Sequence, residues 1–143
     1  AELIVRELEK GEVDIVGSNI YEFEKNPHLW LSIKRMPLTH KSISRTIFFR
    51  NPINHPSVGF IRKSILQLNG GYRDFPFYED YDLWIRSYFS NLRVGNMNEI
   101  LVGMNSIMQI ERRLGNLLQK EFNLLKTFYP LKYSMVYQYL WLL

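Results

Sequence analysis

The sequence predicts an α/β fold, and three patterns along the chain indicate it. A continuous apolar stretch that begins at Val13 is typical of a buried parallel strand. Residues 79–90 repeat apolar side chains at helical spacing, and residues 107–128 do so over a longer stretch that ends before Pro130. With 143 residues and 46% apolar content, the chain is large enough to bury the core of one domain.

The first predicted elements are a helix and a strand. Residues 2–10 place apolar side chains on one stripe and are followed by Gly11, which predicts a short helix with a glycine stop. No capping residue precedes this helix, so we expect a truncated protein that continues upstream. Residues 13–23 form the predicted strand. Without preceding strands it would keep an unpaired buried edge, which would favour self-association.

The middle of the chain predicts short elements joined by loops. Residues 26–56 hold four of the six prolines, and we expect loops there around one helix near residues 41–49, with Thr39 as a possible cap. A short strand, a short helix and a glycine turn follow, at residues 57–61, 62–68 and 69–71.

The second half predicts two amphipathic helices with brief strands between them. In residues 79–90 the apolar side chains fall on one stripe, so they are expected to face the core. Brief strands are predicted at residues 93–95 and 100–104, and a long helix at residues 107–128. The expected buried residues of the first helix are Tyr81, Trp84, Ile85, Tyr88 and Phe89.

Charge is distributed unevenly along the chain. Residues 1–24 carry seven acids, whereas residues 25–73 carry nine Lys or Arg and no acid, which predicts a basic face. Such a face suits nucleic acid, an anionic membrane leaflet or a phosphorylated small molecule, and an ordinary solvated surface is the plain alternative. The absence of cysteine excludes disulfides and thiolate metal sites, and no apolar run is long enough to span a bilayer.

An acidic cluster at Glu79, Asp80 and Asp82 opens the helix of residues 79–90. Three interpretations fit it. The acids interact favourably with the helix dipole, and Asp82 pairs with Arg86 one turn later. Alternatively, Asp80 and Asp82 form a D-x-D pattern, which holds a divalent cation in many sugar-nucleotide enzymes. Finally, one carboxylate is a general base that removes a proton from a sugar hydroxyl, and the helix dipole should favour its ionised form.

Neighbouring aromatic residues leave a related choice open. They offer flat surfaces to sugar rings, or they belong to the core. These residues are Phe75, Phe77, Tyr78, Tyr81 and Trp84.

The sequence around this cluster resembles family 2 glycosyltransferases, especially bacterial enzymes of capsule, O-antigen and exopolysaccharide assembly. Several short motifs of the family occur in this sequence in the family's order, and the resemblance covers about residues 2–128. Their order and spacing are more specific than any single motif. The motifs are VDIVGS at 13–18, NPINHPSV at 51–58, RKS at 62–64, GGYR at 70–73, YEDYDLWIR at 78–86 and NEILV at 98–102.

The resemblance implies the C-terminal, acceptor-side portion of a GT-A fold, the fold of nucleotide-diphospho-sugar transferases, without its N-terminal nucleotide-binding strands. Residues 1–104 would form this acceptor-side portion, and residues 105–143 would form a C-terminal helical extension. Asp80 is the expected general base of an inverting hexosyltransferase-type reaction, and Glu79 and Asp82 would support it. The expected substrate-binding residues are Asn54, His55 and Arg86, and Arg86 is also expected to orient the acidic cluster.

The resemblance also implies a nucleotide-sugar donor, a glycan or lipid-linked acceptor and a divalent cation, Mg or Mn. The ligands of that cation are expected in the missing N-terminal half, so we expect no metal site and no transferase activity from this chain alone. The expected location is cytoplasmic, at the inner face of the plasma membrane if the aromatic-rich segment from Asn116 onward contacts lipid. The alternative is a non-catalytic basic module for nucleic acid or anionic lipid, although no nucleic-acid motif is present.

Overall fold

The computed structural model describes residues 1–66, 71–76, 78–106, 123–128 and 130. One strand lies at the centre of the fold, and short helices and other strands surround it. Residues 123–128 are also helical. In chain order the elements are α1 (Glu2–Glu9), β1 (Ile15–Phe23), β2 (Ser32–Lys34), α2 (His40–Thr46), a 3-10 turn (His55–Ser57), β3 (Gly59–Phe60), α3 (Arg62–Leu66), α4 (Glu79–Phe89) and β4 (Val94–Asn105).

Strand β1 lies at the centre of a mixed four-stranded sheet. β4 pairs with it in parallel over its whole length, from Ile15 opposite Val94 to Phe23 opposite Asn105. β2 and β3 pair with β1 in the antiparallel direction. Because β4 occupies one edge of β1 throughout, β2 and β3 share the other edge.

This pairing corrects one expectation about β1. At Ile15 and Val16 the strand is hydrogen-bonded to β3 on one side and to β4 on the other. The predicted unpaired buried edge was therefore wrong, because two later segments of the same chain supply the partners. The reason for expecting self-association disappears with it.

Two extended elements were missed or underestimated. The sequence did not predict β2, which is only three residues long. The two brief strands predicted after α4 are one strand of twelve residues, β4, with bulges opposite the segment from Ser18 to Ile20. The side-chain amide of Asn19 donates to the carbonyl of Asn98 at 2.8 Å, which satisfies the backbone where the regular pairing is broken.

Helix α4 forms where it was predicted, but it is buried more completely than one stripe would require. Tyr81, Trp84 and Ile85 are fully buried as expected, whereas Tyr88 and Phe89 are only partly buried. Unexpectedly, Asp82 and Leu83 are also fully buried. The helix is covered on several sides, by side chains from α2, α3, the sheet and residues 123–128. These side chains are Ile15, Ile43, Ile47, Ile53, Ile65, Val94, Leu124 and Phe128.

Helices α1, α2 and α3 and the short strand β3 form close to where they were predicted. α1 ends before Gly11, whose φ of +69° suits glycine. Thr39 caps α2 in a capping box with Ser42. Most of the predicted helix at residues 107–128 lies outside the described residues, as does almost all of the proposed extension after residue 104.

In the part of the chain that the structure describes, no helix is long and apolar enough to cross a bilayer.

Candidate active site at the start of helix α4

The carboxylate of Asp80 lies half-buried in the first turn of α4. The side-chain amide of Asn51 donates a hydrogen bond to Oδ2 of Asp80 at 3.3 Å, and the Tyr81 N–H donates to Oδ1 at 2.8 Å. Asn51 is itself held by the Ile53 N–H, which donates to its side-chain oxygen at 3.2 Å. The segment after α2 therefore meets the start of α4 at this carboxylate.

Burial raises the pKa of the Asp80 carboxyl above its ordinary value. The Tyr81 N–H, the nearby His55 and the Asn51 amide act in the opposite direction, and the neighbouring charge of Glu79 adds to the rise. Burial therefore acts against the expected effect of the helix dipole, which favours the ionised form. A carboxylate with a raised pKa is a stronger base than an ordinary one.

Asp82 faces a different environment, although it is only two residues from Asp80. Its carboxylate is 0% exposed and accepts hydrogen bonds from Nε of Arg73 at 3.0 Å and from Nε of Arg86 at 2.8 Å. Arg86, whose side chain is 13% exposed, also donates to the carbonyl of Gly71. Asp82 and Arg86 therefore attach the segment that begins at Gly71 to the inner side of α4.

The two carboxylates of the D-x-D pattern have separate partners and do not converge on a shared position. Asp80 contacts Asn51, whereas Asp82 contacts two arginines. Among the described residues, no group of three His, Asp or Glu side chains is arranged to hold a metal ion. Asp80 and Asp82 therefore do not form the shared cation site that the D-x-D pattern allowed.

Of the two predicted residues before β3, the structure brings His55 towards Asp80 but directs Asn54 towards β1. His55 is exposed at the start of the 3-10 turn, and its charge acts on the Asp80 carboxyl. The Asn54 amide donates to the carbonyl of Ser18 at 3.3 Å, and the Ser57 hydroxyl donates to the same carbonyl at 3.2 Å. Asn54 thus holds the turn against the central strand.

Tyr72 is a residue of the site that the sequence did not single out. Its side chain is 46% exposed, and burial together with the charges of Asp80 and Glu79 raises its pKa. It lies between Gly71, whose carbonyl accepts a hydrogen bond from Arg86, and Arg73, which donates to Asp82. In the sequence, only the GGYR motif at 70–73 pointed to Tyr72. An aromatic residue whose two neighbours are both bound to the protein can be directed to the surface.

The aromatic residues near the acidic turn differ in burial. Tyr81 and Trp84 are fully buried, so they belong to the core. Phe75 and Tyr78 are partly buried against that core, and they also line an open cleft of about 190 Å³ together with Pro76 and Asn123. Phe77 lies outside the described residues. Phe75, Pro76 and Tyr78 directly precede α4 in the chain, so the cleft lies next to the acidic cluster.

Three curated bacterial proteins illustrate what this chain is similar to. The UDP-Gal:α-D-GlcNAc-diphosphoundecaprenol β-1,3-galactosyltransferase of Escherichia coli is 36% identical over 107 residues, or 75% of this chain and 38% of that enzyme. The amylovoran biosynthesis glycosyltransferase AmsE of Erwinia amylovora is 31% identical over 123 residues, covering 85% and 45%. An uncharacterized glycosyltransferase of Haemophilus influenzae is 32% identical over 119 residues, covering 82% and 43%.

No protein-family model and no solved structure matches the chain. The chain spans less than half the length of the curated relatives it matches. Its homologues are glycosyltransferases of bacterial polysaccharide biosynthesis, and the mixed α/β architecture is consistent with part of such an enzyme.

Proposed function

We propose that this chain is the acceptor-side part of an inverting glycosyltransferase of family 2 and GT-A fold, with Asp80 as the general base. The carrying observation is the environment of Asp80: a half-buried carboxylate with a raised pKa, beside the exposed side chains of His55 and Tyr72. Partial burial makes the carboxylate more basic, and the exposed neighbours leave room for a hydroxyl to approach it.

The proposed reaction is a single displacement. Asp80 accepts the proton of an acceptor hydroxyl while the hydroxyl oxygen forms a bond to the anomeric carbon of the donor sugar. The bond between that carbon and the nucleoside diphosphate breaks, and its electron pair leaves with the diphosphate. Attack opposite the leaving group inverts the configuration at the anomeric carbon.

The other acidic-turn residues take supporting roles in this proposal. Asp82 and Arg86 fix α4 and the segment from Gly71 to Arg73, so they position Asp80 and Tyr72 without contacting substrate. Glu79 is exposed next to Asp80 and reinforces its negative field.

The donor is proposed to bind a separate, donor-binding part of the enzyme, which these residues do not provide. A divalent cation, Mg or Mn, would stabilise the leaving diphosphate in that part. The chain alone is accordingly proposed to lack transferase activity. The complete enzyme is the protein in which this chain is joined to the donor-binding part.

The acceptor is proposed to be a glycan or a lipid-linked glycan at the cytoplasmic face of the membrane. Support comes from the E. coli relative, whose name gives a diphosphoundecaprenol-linked GlcNAc as its acceptor and UDP-Gal as its donor. The proposed membrane contact through the segment from Asn116 onward concerns residues that lie almost entirely outside the described ones.

The proposal is tested by incubating the complete enzyme with UDP-, GDP- and dTDP-sugars and a lipid-linked oligosaccharide fraction. We expect nucleoside diphosphate release that depends on the acceptor, and a product glycan one sugar longer. The rival function, a basic module for nucleic acid, predicts salt-sensitive binding to duplexes without acceptor-dependent release. That second result would reject sugar transfer.

A further inference from the structure

An exposed apolar surface lies on the connection between β1 and β2. We call residues 21–34 the Trp30 hairpin. Leu29 is 67% exposed, Trp30 53% and Leu31 60%, and Ile33 on β2 is exposed as well. Exposed apolar residues are ordinary when scattered, but a contiguous group on one hairpin is typical of an interaction surface.

The hairpin holds the Trp30 ring in place and fixes the backbone beside it. The ring of Trp30 stacks on Tyr21 with centroids 4.4 Å apart and planes 14° apart. Tyr21 in turn lies over Gly103 of β4, where any side chain would collide with the ring. The Leu31 N–H donates to the carbonyl of Glu22 at 2.8 Å. Binding through a surface that is already ordered costs little conformational entropy.

Contacts from the end of β4 fix the hairpin further. The Asn105 side-chain amide donates to the carbonyl of Glu24 at 2.8 Å, and the Ser106 N–H donates to the carbonyl of Phe23 at 2.8 Å. The turn itself is closed by the Leu29 N–H, which donates to the carbonyl of Asn26 at 3.0 Å. The apolar residues therefore project from a supported hairpin.

Charges beside the apolar group favour an anionic surface. Lys25 and Arg35 precede and follow the apolar residues in the sequence, and both are exposed. Glu24, next to Lys25, is an exposed acid. Lys34 and Glu22 neutralise each other in an ion pair at 2.6 Å.

A second copy of the chain is a poorer partner for this surface. β2 is the strand at the edge of the hairpin, and it has only three residues. A short edge strand that ends in Lys34 and continues to Arg35 is a weak template for pairing with another strand. Trp and Leu side chains next to basic residues instead match the interfacial region of a bilayer.

We infer that the Trp30 hairpin is a membrane-contact element, which inserts Leu29, Trp30 and Leu31 among lipid headgroups while Lys25 and Arg35 meet lipid phosphates. The inference rests on the proposed membrane location and names a further element that contacts the membrane, in addition to the segment from Asn116 onward. It concerns lipid binding, which is measured without any sugar transfer, so its failure and the failure of the proposed enzyme activity are distinguishable.

The test is co-sedimentation of the protein with vesicles of phosphatidylcholine that contain about 30% phosphatidylglycerol, compared with phosphatidylcholine alone. We expect stronger binding to the anionic vesicles. The double variant Leu29→Ser/Leu31→Ser should bind them about tenfold more weakly. The matched control Leu3→Ser/Val5→Ser, which also removes two exposed apolar residues, from α1, should bind as the wild type does.

Fluorescence supplies a second readout in a Trp141→Phe background, in which Trp30 and Trp84 are the two remaining tryptophans. Trp84 is fully buried and should not respond to lipid. The emission of this background should shift to the blue on adding anionic vesicles, and the further change Trp30→Phe should remove most of this shift. Equal binding to neutral vesicles, no binding at all, or equal loss in the α1 control would overturn the inference. So would a hairpin variant that dissociates an oligomer of the protein without affecting lipid binding.

Discussion

Asp80 and Asp82 are two positions apart, and this spacing turns their side chains to nearly opposite sides of α4. One carboxylate contacts Asn51 beside exposed residues, and the other is fully buried between two arginines. The sequence allowed a prediction of Asp80 as the base through its motif, and of the pair formed by Asp82 and Arg86 through its spacing. It gave no sign that Arg73 would complete the buried pair.

The raised pKa of Asp80 leads to a prediction about pH and stability. The folded chain binds this proton more tightly than the unfolded chain, so the contribution to the free energy of unfolding is fully present below the ordinary pKa of 3.8. It is lost as pH rises through the folded-state pKa. Asp80→Asn is neutral at every pH, so we expect it to melt at a higher temperature than wild type at about pH 7.

Thermal melts followed by circular dichroism between about pH 4 and pH 7 check this sign. The advantage of Asp80→Asn should shrink steadily as pH falls. Glu79→Gln is the matched control, because Glu79 is the exposed neighbouring acid and its replacement removes the same charge. A lower melting temperature for Asp80→Asn at neutral pH would show that burial does not disfavour the charge.

Asp82→Ala should destabilise the chain by about 3 to 5 kcal/mol, because it leaves the buried guanidinium of Arg86 without its carboxylate. Urea unfolding measures the change. Glu2→Ala is the control, since Glu2 pairs with Arg6 at 3.2 Å where both side chains are exposed, and its loss should cost about 1 kcal/mol or less. Equal costs for the two variants would contradict the role given to Asp82.

Tyr72→Ala should raise the KM for the acceptor in the complete enzyme while the affinity for the donor stays the same. The reason is that the exposed ring stands beside the proposed base. Tyr72→Phe keeps the ring and should restore most of the acceptor affinity. Initial rates at varied acceptor concentration, with donor binding by calorimetry, separate these effects. A selective loss of donor affinity would contradict the assignment of Tyr72 to the acceptor site.

At the scale of elements, helices were easier to predict than strands. α4 and α1 follow from apolar spacing within one element, and α2 from the capping pattern at Thr39. β2 and the full length of β4 depend on partners far away in the chain. The polar residues Asn98 and Glu99 interrupt the apolar pattern of β4, and the strand continues because a bulge accommodates them.

A close contact between β1 and β4 also depends on distant residues. The Asn96 side-chain amide donates to the carbonyls of Pro37 at 2.7 Å and Pro52 at 3.0 Å, so it joins two loops. Its Oδ1 is buried against Gly17 and has no hydrogen-bond partner among the described residues. Gly17 is therefore required for close approach rather than for an unusual φ.

Gly17→Ala should lower the free energy of unfolding by about 1 to 3 kcal/mol, because a methyl group there would overlap Asn96 and lie 2.8 Å from Cγ2 of Ile53. Gly95→Ala on β4 is the control, since its nearest contact would be 3.2 Å, to the side chain of Val13. Denaturant unfolding should show the smaller loss for Gly95→Ala. The reverse order would contradict the packing described for Asn96.

At the scale of the whole molecule, the central strand brings separate parts of the chain to one site. The contact between Asn51 and Asp80 joins residues 29 positions apart, and it forms because α2 and α4 pack on the same core. The sequence motifs predicted which segments of the chain contribute to the site. They did not predict that Asn54 would face β1 or that Tyr72 would stand beside Asp80, since these placements follow from tertiary packing.

The central claim is that Asp80 acts on the acceptor as a general base. It is tested most directly by Asp80→Asn in the complete enzyme, with transfer measured by product formation and donor affinity by calorimetry. The account predicts loss of at least about 100-fold in kcat with donor affinity nearly unchanged. Transfer close to the wild-type rate, or a parallel loss of donor affinity, would contradict it.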